Sequence, residues 1–172
     1  MRILDATAGN RAMWFDRGCP LVTFCDLRRE VKPDVVCDVR GLPFDDGTFD
    51  LAVFDPPHVN VGGGSRMSRS YGHFTASEIE SMIRDGAVEL ERVLKPGGLL
   101  VFKWGTHDRK LETVLGWLGR FEALFGQRTA SRVRSETWWV VLRSRCVEAE
   151  PGYGLGETGP GPGSESQQSA KS

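Results

Sequence analysis

Apolar residues along this chain fall into short runs separated by polar segments. Ile3-Leu4 predicts a first strand, stopped by the small and polar stretch Asp5-Ala6-Thr7-Ala8-Gly9-Asn10. A short helix is expected from Arg11 to Asp16, closed by Gly18 and Pro20. Leu21 to Cys25 predicts a second strand, Val35 to Cys37 a third and Phe49 to Phe54 a fourth. Each of the four runs into an aspartate: Asp5, Asp26, Asp38 and Asp55. Aspartate is a poor strand residue, so one such ending means little. Four in succession predict a row of acids along one edge of a sheet.

A Gly-rich loop follows, Val61 to Ser65, with a basic polar stretch running on to Phe74. Ile79, Met82, Ile83, Leu90, Val93 and Leu94 then sit at helical spacing. Thr75 or Ser77 can cap that helix, with Glu78 or Glu80 as capping-box partner. Lys95-Pro96-Gly97-Gly98 is expected to end it, and Leu99 to Phe102 predicts a fifth strand. Leu111, Val114, Leu115 and Leu118 mark another helix, and Glu122 to Phe125 and Thr137 to Leu142 a final antiparallel pair. Strands alternating with helices predict an α/β fold: a doubly wound, mostly parallel seven-stranded sheet with an antiparallel C-terminal pair. Ligands bind such sheets beyond the carboxyl ends of the strands, where strand order reverses. The aspartates belong at that edge.

The chain's 172 residues suit one domain with a real core. Residues 1–147 are read as that domain. Residues 148–172 are read as a disordered Gly/Pro/Ser-rich tail, because almost no large apolar side chain is there to offset ordering entropy. The formal net charge is −1, so no global field draws the chain to nucleic acid or an anionic membrane. No apolar run approaches the ~20 residues of a membrane helix, and the N-terminus does not read as a signal peptide. Cys19, Cys25, Cys37 and Cys146 lack metal-ligand spacing and read as reduced thiols, which gives an expectation of no metal and a cytoplasmic location.

The loop 5–9 carries one glycine, Gly9, and lacks the Gly-x-Gly-x-x-Gly spacing of a pyrophosphate site. A nicotinamide dehydrogenase therefore ranks last. A carboxylate at Asp26 can accept two hydrogen bonds from ribose hydroxyls. One at Asp38 can accept from an adenine amino group. In Asp55-Pro56-Pro57-His58 two prolines remove two backbone donors and stiffen the chain, leaving carbonyls free to face a cleft. The Asp55 carboxylate and the Pro56 carbonyl can both accept from an amino group, aiming its lone pair at an electrophile. A planar ring next in line can stack on a planar substrate.

Together these residues resemble the class I S-adenosylmethionine-dependent methyltransferases. More narrowly they resemble the amino-methyltransferases marked by Asp-Pro-Pro and an aromatic residue, including compact types of phage and bacteria. The resemblance runs from Ile3 to about Leu142. It implies S-adenosylmethionine as cofactor, with Asp5, Ala6, Thr7 and Gly9 around its methionine moiety. It further implies Asp26 at the ribose, Asp38 at the adenine, and Asp55, Pro56, Pro57 and His58 as the catalytic motif, Asp55 also touching the cofactor. His58 stands where the family carries Tyr, Phe or Trp, and a histidine can also move a proton. The helix that precedes the first strand in this family is missing from this sequence or lies outside it.

Lys103 and Trp104 follow the fifth strand and are candidates for the substrate pocket, as are Arg66 and Arg69 in the loop after the catalytic motif. Between Arg120 and Arg145 six arginines flank Trp138 and Trp139, a mixture found on single-stranded nucleic-acid surfaces. Tryptophans adjacent on a strand face opposite sides, so at least one is expected in the core. The expected reaction is methyl transfer to an amino nitrogen, with adenine N6 in DNA or RNA as first candidate. Little chain remains for a separate target-recognition domain, which favours RNA, single-stranded DNA or a partner subunit. The alternatives are a small molecule or protein side chain as acceptor, and an inactive cofactor-binding partner subunit.

Overall fold

The computed structural model describes residues 1–57, 74–130 and 136–145. Its strands are β1 (Ile3–Asp5), β2 (Val22–Asp26), β3 (Val35–Val36), β4 (Phe49–Phe54), β5 (Leu94–Gly105), β6 (Phe121–Ala130) and β7 (Glu136–Ser144). They form one sheet in the order β3-β2-β1-β4-β5-β7-β6. β1 to β5 run parallel, and β7 is antiparallel to both β5 and β6. The expected fold class is the observed one. The chain leaves β1 for β2 and β3 on one side and returns to β4 on the other. Strand order therefore reverses between β1 and β4, and a crevice opens there at the carboxyl ends.

Helix α1 (Ala76–Val93) carries its apolar side chains on one stripe. Ile79, Met82, Ile83, Ala87, Leu90 and Val93 pack on Leu4, Phe49, Ala52, Phe54, Leu100 and Phe102 of the sheet. Gly86 lets the helix come close: a Cβ there would sit 3.3 Å from the Val39 methyls and 3.6 Å from the Phe54 ring. Of the two candidate caps, Thr75 does the work. Its Oγ1 accepts from the Glu78 N–H at 3.3 Å, and Glu78 Oε2 accepts from the Thr75 N–H at 2.7 Å. Helix α2 (Leu111–Trp117) joins the same core through Val114. Both described α-helices thus cover one face. On the other, Ile3, Ala8, Val22 and Phe24 form a smaller cluster against Trp14, Cys19 and Leu51.

Two expectations need correction. No helix forms from Arg11 to Asp16. Gly9 and Arg11 have φ of 52° and 54°, in the left-handed region, so the loop advances by isolated turns. The Arg11 guanidinium holds that course by donating to the Arg17 and Lys32 carbonyls and to Asp34. Nor does Lys95-Pro96-Gly97-Gly98 follow the helix as a terminating loop. The helix stops at Val93, and β5 begins at once at Leu94. The four residues form an irregularity within that strand, where pairing jumps from Phe49–Leu94 to Leu51–Leu99. Gly97 has φ of 69°, and a Cβ at Gly98 would lie 2.8 Å from the Lys95 carbonyl, so glycine is required at both. The final strands are also longer than their apolar runs. No described helix is long and apolar enough to cross a membrane.

Candidate active site

At the carboxyl ends of β1, β2 and β4 lies a cavity of about 430 Å³. Its floor is the loop after β1, which is stitched to both neighbouring strands. The Ala6 N–H donates to the Val53 carbonyl at 2.9 Å and the Ala8 N–H to the Cys25 carbonyl at 2.8 Å. Thr7 Oγ1 accepts from the Asp55 N–H at 2.8 Å, and the Gly9 N–H donates to Asp26 Oδ2 at 2.8 Å. The small side chains of this loop keep the floor low. Its positive φ makes Gly9 the residue that can turn here without strain.

Asp5 lies beneath the floor and does not line the cavity. It is fully buried and accepts from Trp14 Nε1 at 2.7 Å and from the Thr7 N–H at 3.3 Å. Burial, with smaller contributions from the carboxylates of Asp55 and Asp26, raises its pKa from 3.8 to about 6 against those two bonds. Ala6, Thr7, Gly9, Asp26 and Asp38 do line the cavity. Asp26 and Asp38 share one local geometry. Each carboxylate accepts from the backbone N–H and the guanidinium of an arginine two residues on, Arg28 and Arg40. Burial opposes ionisation of Asp26, yet the Arg28 fork and the N–H groups of Arg28 and Gly9 hold its pKa below the ordinary value. The Arg40 fork does the same for Asp38. Leu27, Cys37, Val39, Phe74 and Met82 add mostly apolar wall to the same cavity.

At the opposite end stand Asp55 and Pro57, with Pro56 buried behind them. Lys103 reaches across from β5, and its Nζ donates to Asp55 Oδ2 at 2.6 Å. That ammonium also lies 5.5 Å from the centroid of the Trp139 ring. Trp104 does not line the cavity, which corrects its candidacy. Neighbours on a strand point to opposite faces, so with Lys103 at the cavity Trp104 turns into the core. There it is 1% exposed, stacks on Phe102 and donates Nε1 to the Arg109 carbonyl at 3.0 Å. The tryptophan pair on β7 divides the same way: Trp138 packs on the core cluster and Trp139 meets Lys103. His58, Arg66, Arg69, Cys146 and the tail lie outside the described residues.

Arg28 is the functional candidate that motif reading missed. Its signal was present as an Asp-x-Arg triplet occurring at both Asp26 and Asp38. The arginines described in the last two strands are paired, Arg128 with Glu136 and Arg143 with Glu122; just outside them Arg120 pairs with Glu91, and Arg145 donates to the Phe121 carbonyl. They lie on the far side of the sheet from β1 and β2.

No protein-family profile matches the chain, and no curated protein matches it in sequence. Solved structures do match in fold. A SAM-dependent methyltransferase from Methanosarcina mazei superposes with a TM-score of 0.56 at 16% identity, over 83% of this chain and 92% of that one. The N-methyltransferase NodS of Bradyrhizobium japonicum, in complex with S-adenosyl-L-homocysteine, gives 0.54 at 15%, over 83% and 76%. The (4+2)-cyclase SpnF gives 0.57 at 17%, over 84% and 75%. The last two perform different reactions, so what the matches establish is that this chain has the fold of S-adenosylmethionine-dependent methyltransferases and their structural kin.

Proposed function

We propose that this protein transfers a methyl group from S-adenosylmethionine to an amino nitrogen. The observation that carries the reading is the placement of acids around one cavity. Asp26 and Asp38 lie at one end, Asp55 and Pro57 at the other, and apolar side chains make up much of the remaining lining. That donor set fits the cofactor: acceptors for a ribose and an adenine amino group at the β2–β3 end, and a small-residue floor under the methionine part. When bound, the cofactor supplies an electrophilic methyl group. The chain's own contribution is positioning. Thr7 fixes the backbone of Asp55, and Lys103 holds one carboxylate oxygen. Asp55 and the Pro56 carbonyl would accept from the acceptor's N–H groups and aim its lone pair, and the Asp55 carboxylate would take the proton that the amine loses.

Lys103 also bears on the acceptor. Its ammonium on Asp55 balances the local charge, so a cationic aliphatic amine finds less attraction here than an unpaired carboxylate would give it, and a neutral aromatic amine loses nothing. Adenine N6 remains the first candidate. A small-molecule acceptor is the second reading, favoured by the ion pairs that neutralise the β6–β7 arginines and by a net charge of −1.

Calorimetric titration with S-adenosylmethionine, with Asp26→Ala and NAD as controls, tests the cofactor. Micromolar binding that Asp26→Ala abolishes, with no NAD binding, is expected. Methyl transfer from labelled cofactor to single-stranded oligonucleotides, adenosine and small heteroaromatic amines then tests the acceptor. Asp55→Ala is expected to keep cofactor binding and to lower transfer about 10²-fold or more. Transfer at the wild-type rate by Asp55→Ala would remove Asp55 from the mechanism.

A further inference from the structure

The Asp26 carboxylate is already full. Its Oδ1 accepts from the Arg28 N–H at 2.9 Å and from Arg28 Nε at 3.0 Å. Its Oδ2 accepts from the Gly9 N–H at 2.8 Å and from Arg28 Nη2 at 3.1 Å. A carboxylate offers about four lone-pair positions, so none is left for a ribose. The two backbone donors are fixed by the turns that carry them. The two guanidinium donors can leave by rotation of a side chain that is 25% exposed. That guanidinium also lies over the loop floor, with Nη2 3.5 Å from the place of a Gly9 Cβ.

We propose that Arg28 gates the adenosine end of the cavity, occupying the two Asp26 acceptor positions that a ribose diol must take. This rests on the reading of the cavity as an S-adenosylmethionine site. Ligand entry exchanges a charge-assisted fork for two hydroxyl hydrogen bonds, so the closed gate holds affinity down. The fraction of molecules with Arg28 swung out scales the apparent dissociation constant. The Asp38–Arg40 fork repeats the geometry at the neighbouring acid, where both side chains are more exposed, 31% and 40%. The gate is assigned to Arg28 because Asp26, 7% exposed, offers an incoming ribose no other edge.

The test uses S-adenosylhomocysteine as probe, with the full chain, by calorimetry and by stopped-flow tryptophan fluorescence. Arg28→Met keeps the aliphatic stem and removes the fork. It is expected to bind about tenfold tighter than wild type, chiefly through faster association. Arg28→Lys cannot span both oxygens and is expected to fall between the two. Binding by a folded Arg28→Met that is equal to or weaker than wild type overturns the gate and makes Arg28 part of the binding surface. If Arg28→Met does not fold, Arg28→Lys decides: tighter supports the gate, equal or weaker overturns it. If wild type binds and Asp26→Ala binds equally well, no ribose sits at Asp26 and the gate falls while the cofactor reading stands. Absence of binding in wild type and both Arg28 variants removes the cofactor reading and the gate with it.

Discussion

At Asp5 burial works against ionisation, and the consequence is measurable. The folded-state pKa of about 6 lies above the unfolded value of 3.8, so between those two the folded protein takes up the proton first. Stability from this group therefore rises as pH falls through that window and is lost as pH rises through about 6. The full change between acid and neutral pH corresponds to about 3 kcal/mol, lost at neutral pH. Asp5→Asn removes the titration. Its stability relative to wild type should decline as pH falls from about 7.5 to about 4, read from thermal melts at each pH. A difference that is flat with pH would show that Asp5 titrates normally. Asp26 and Asp38 behave with the opposite sign. Their pKa values are lowered, so their contributions are present above the ordinary carboxylate range and lost only below it. They leave the Asp5 window clear.

At the level of elements, the site is positioned by α1 and by the segment between β3 and β4. Thr75→Ala removes one half of the capping box and should lower stability by about 1 kcal/mol in denaturant titration, with cofactor binding retained. Arg92, at the other end of the helix, reaches back to that segment. Its guanidinium donates to the carbonyls of Leu42 and Phe44 and to the carboxylates of Asp46 and Glu89. Glu89 in turn accepts from the Leu42 N–H at 2.8 Å. Arg92→Met leaves those carbonyls and Glu89 without their donor. It should cost about 2 kcal/mol and also weaken ligand binding, because the same segment carries Asp38 and Val39 into the cavity. Loss of stability without loss of affinity would show that the cavity wall is fixed independently of α1.

Over the whole molecule, the central strands and the edge strand differ sharply. β1 is buried along its whole length and sits between β2 and β4. In β6, at the outer edge, residues 122–129 are all exposed, with Phe125 67% exposed. Hydrogen exchange in the native state should therefore be slowest in β1, β4 and β5 and fastest, among the strands, in β6. Equal protection across the sheet would mean that something covers the β6 edge in solution. Charge follows the same division: the arginines described on β6 and β7 are each matched by a glutamate, so the wall far from the cavity contributes little net field.

Much of this was readable from the order of residues alone. Strand β4 matches its apolar run from Phe49 to Phe54, and the capped start of α1 follows from Thr75 and Glu78. These are local signals, a period and a spacing, and local physics decides them. The gathering of four aspartates at one edge follows from parallel strands that all end in the same direction. What the sequence could not decide depends on partners far along the chain. The loop after β1 looked helical from its composition. It is held in turns by Arg11 contacts to Lys32 and Asp34, and by bonds to Cys25, Asp26, Val53 and Asp55. Lys103 and Trp104 read alike on paper, and only the face each takes in β5 separates a cavity residue from a core one. The Arg28 fork was visible as a spacing, yet its meaning required Gly9 beside it, brought there by the pairing of β1 with β2. Periodicity sets elements because it acts within a few residues; the chemistry of the cavity was left to contacts that close only when the sheet assembles.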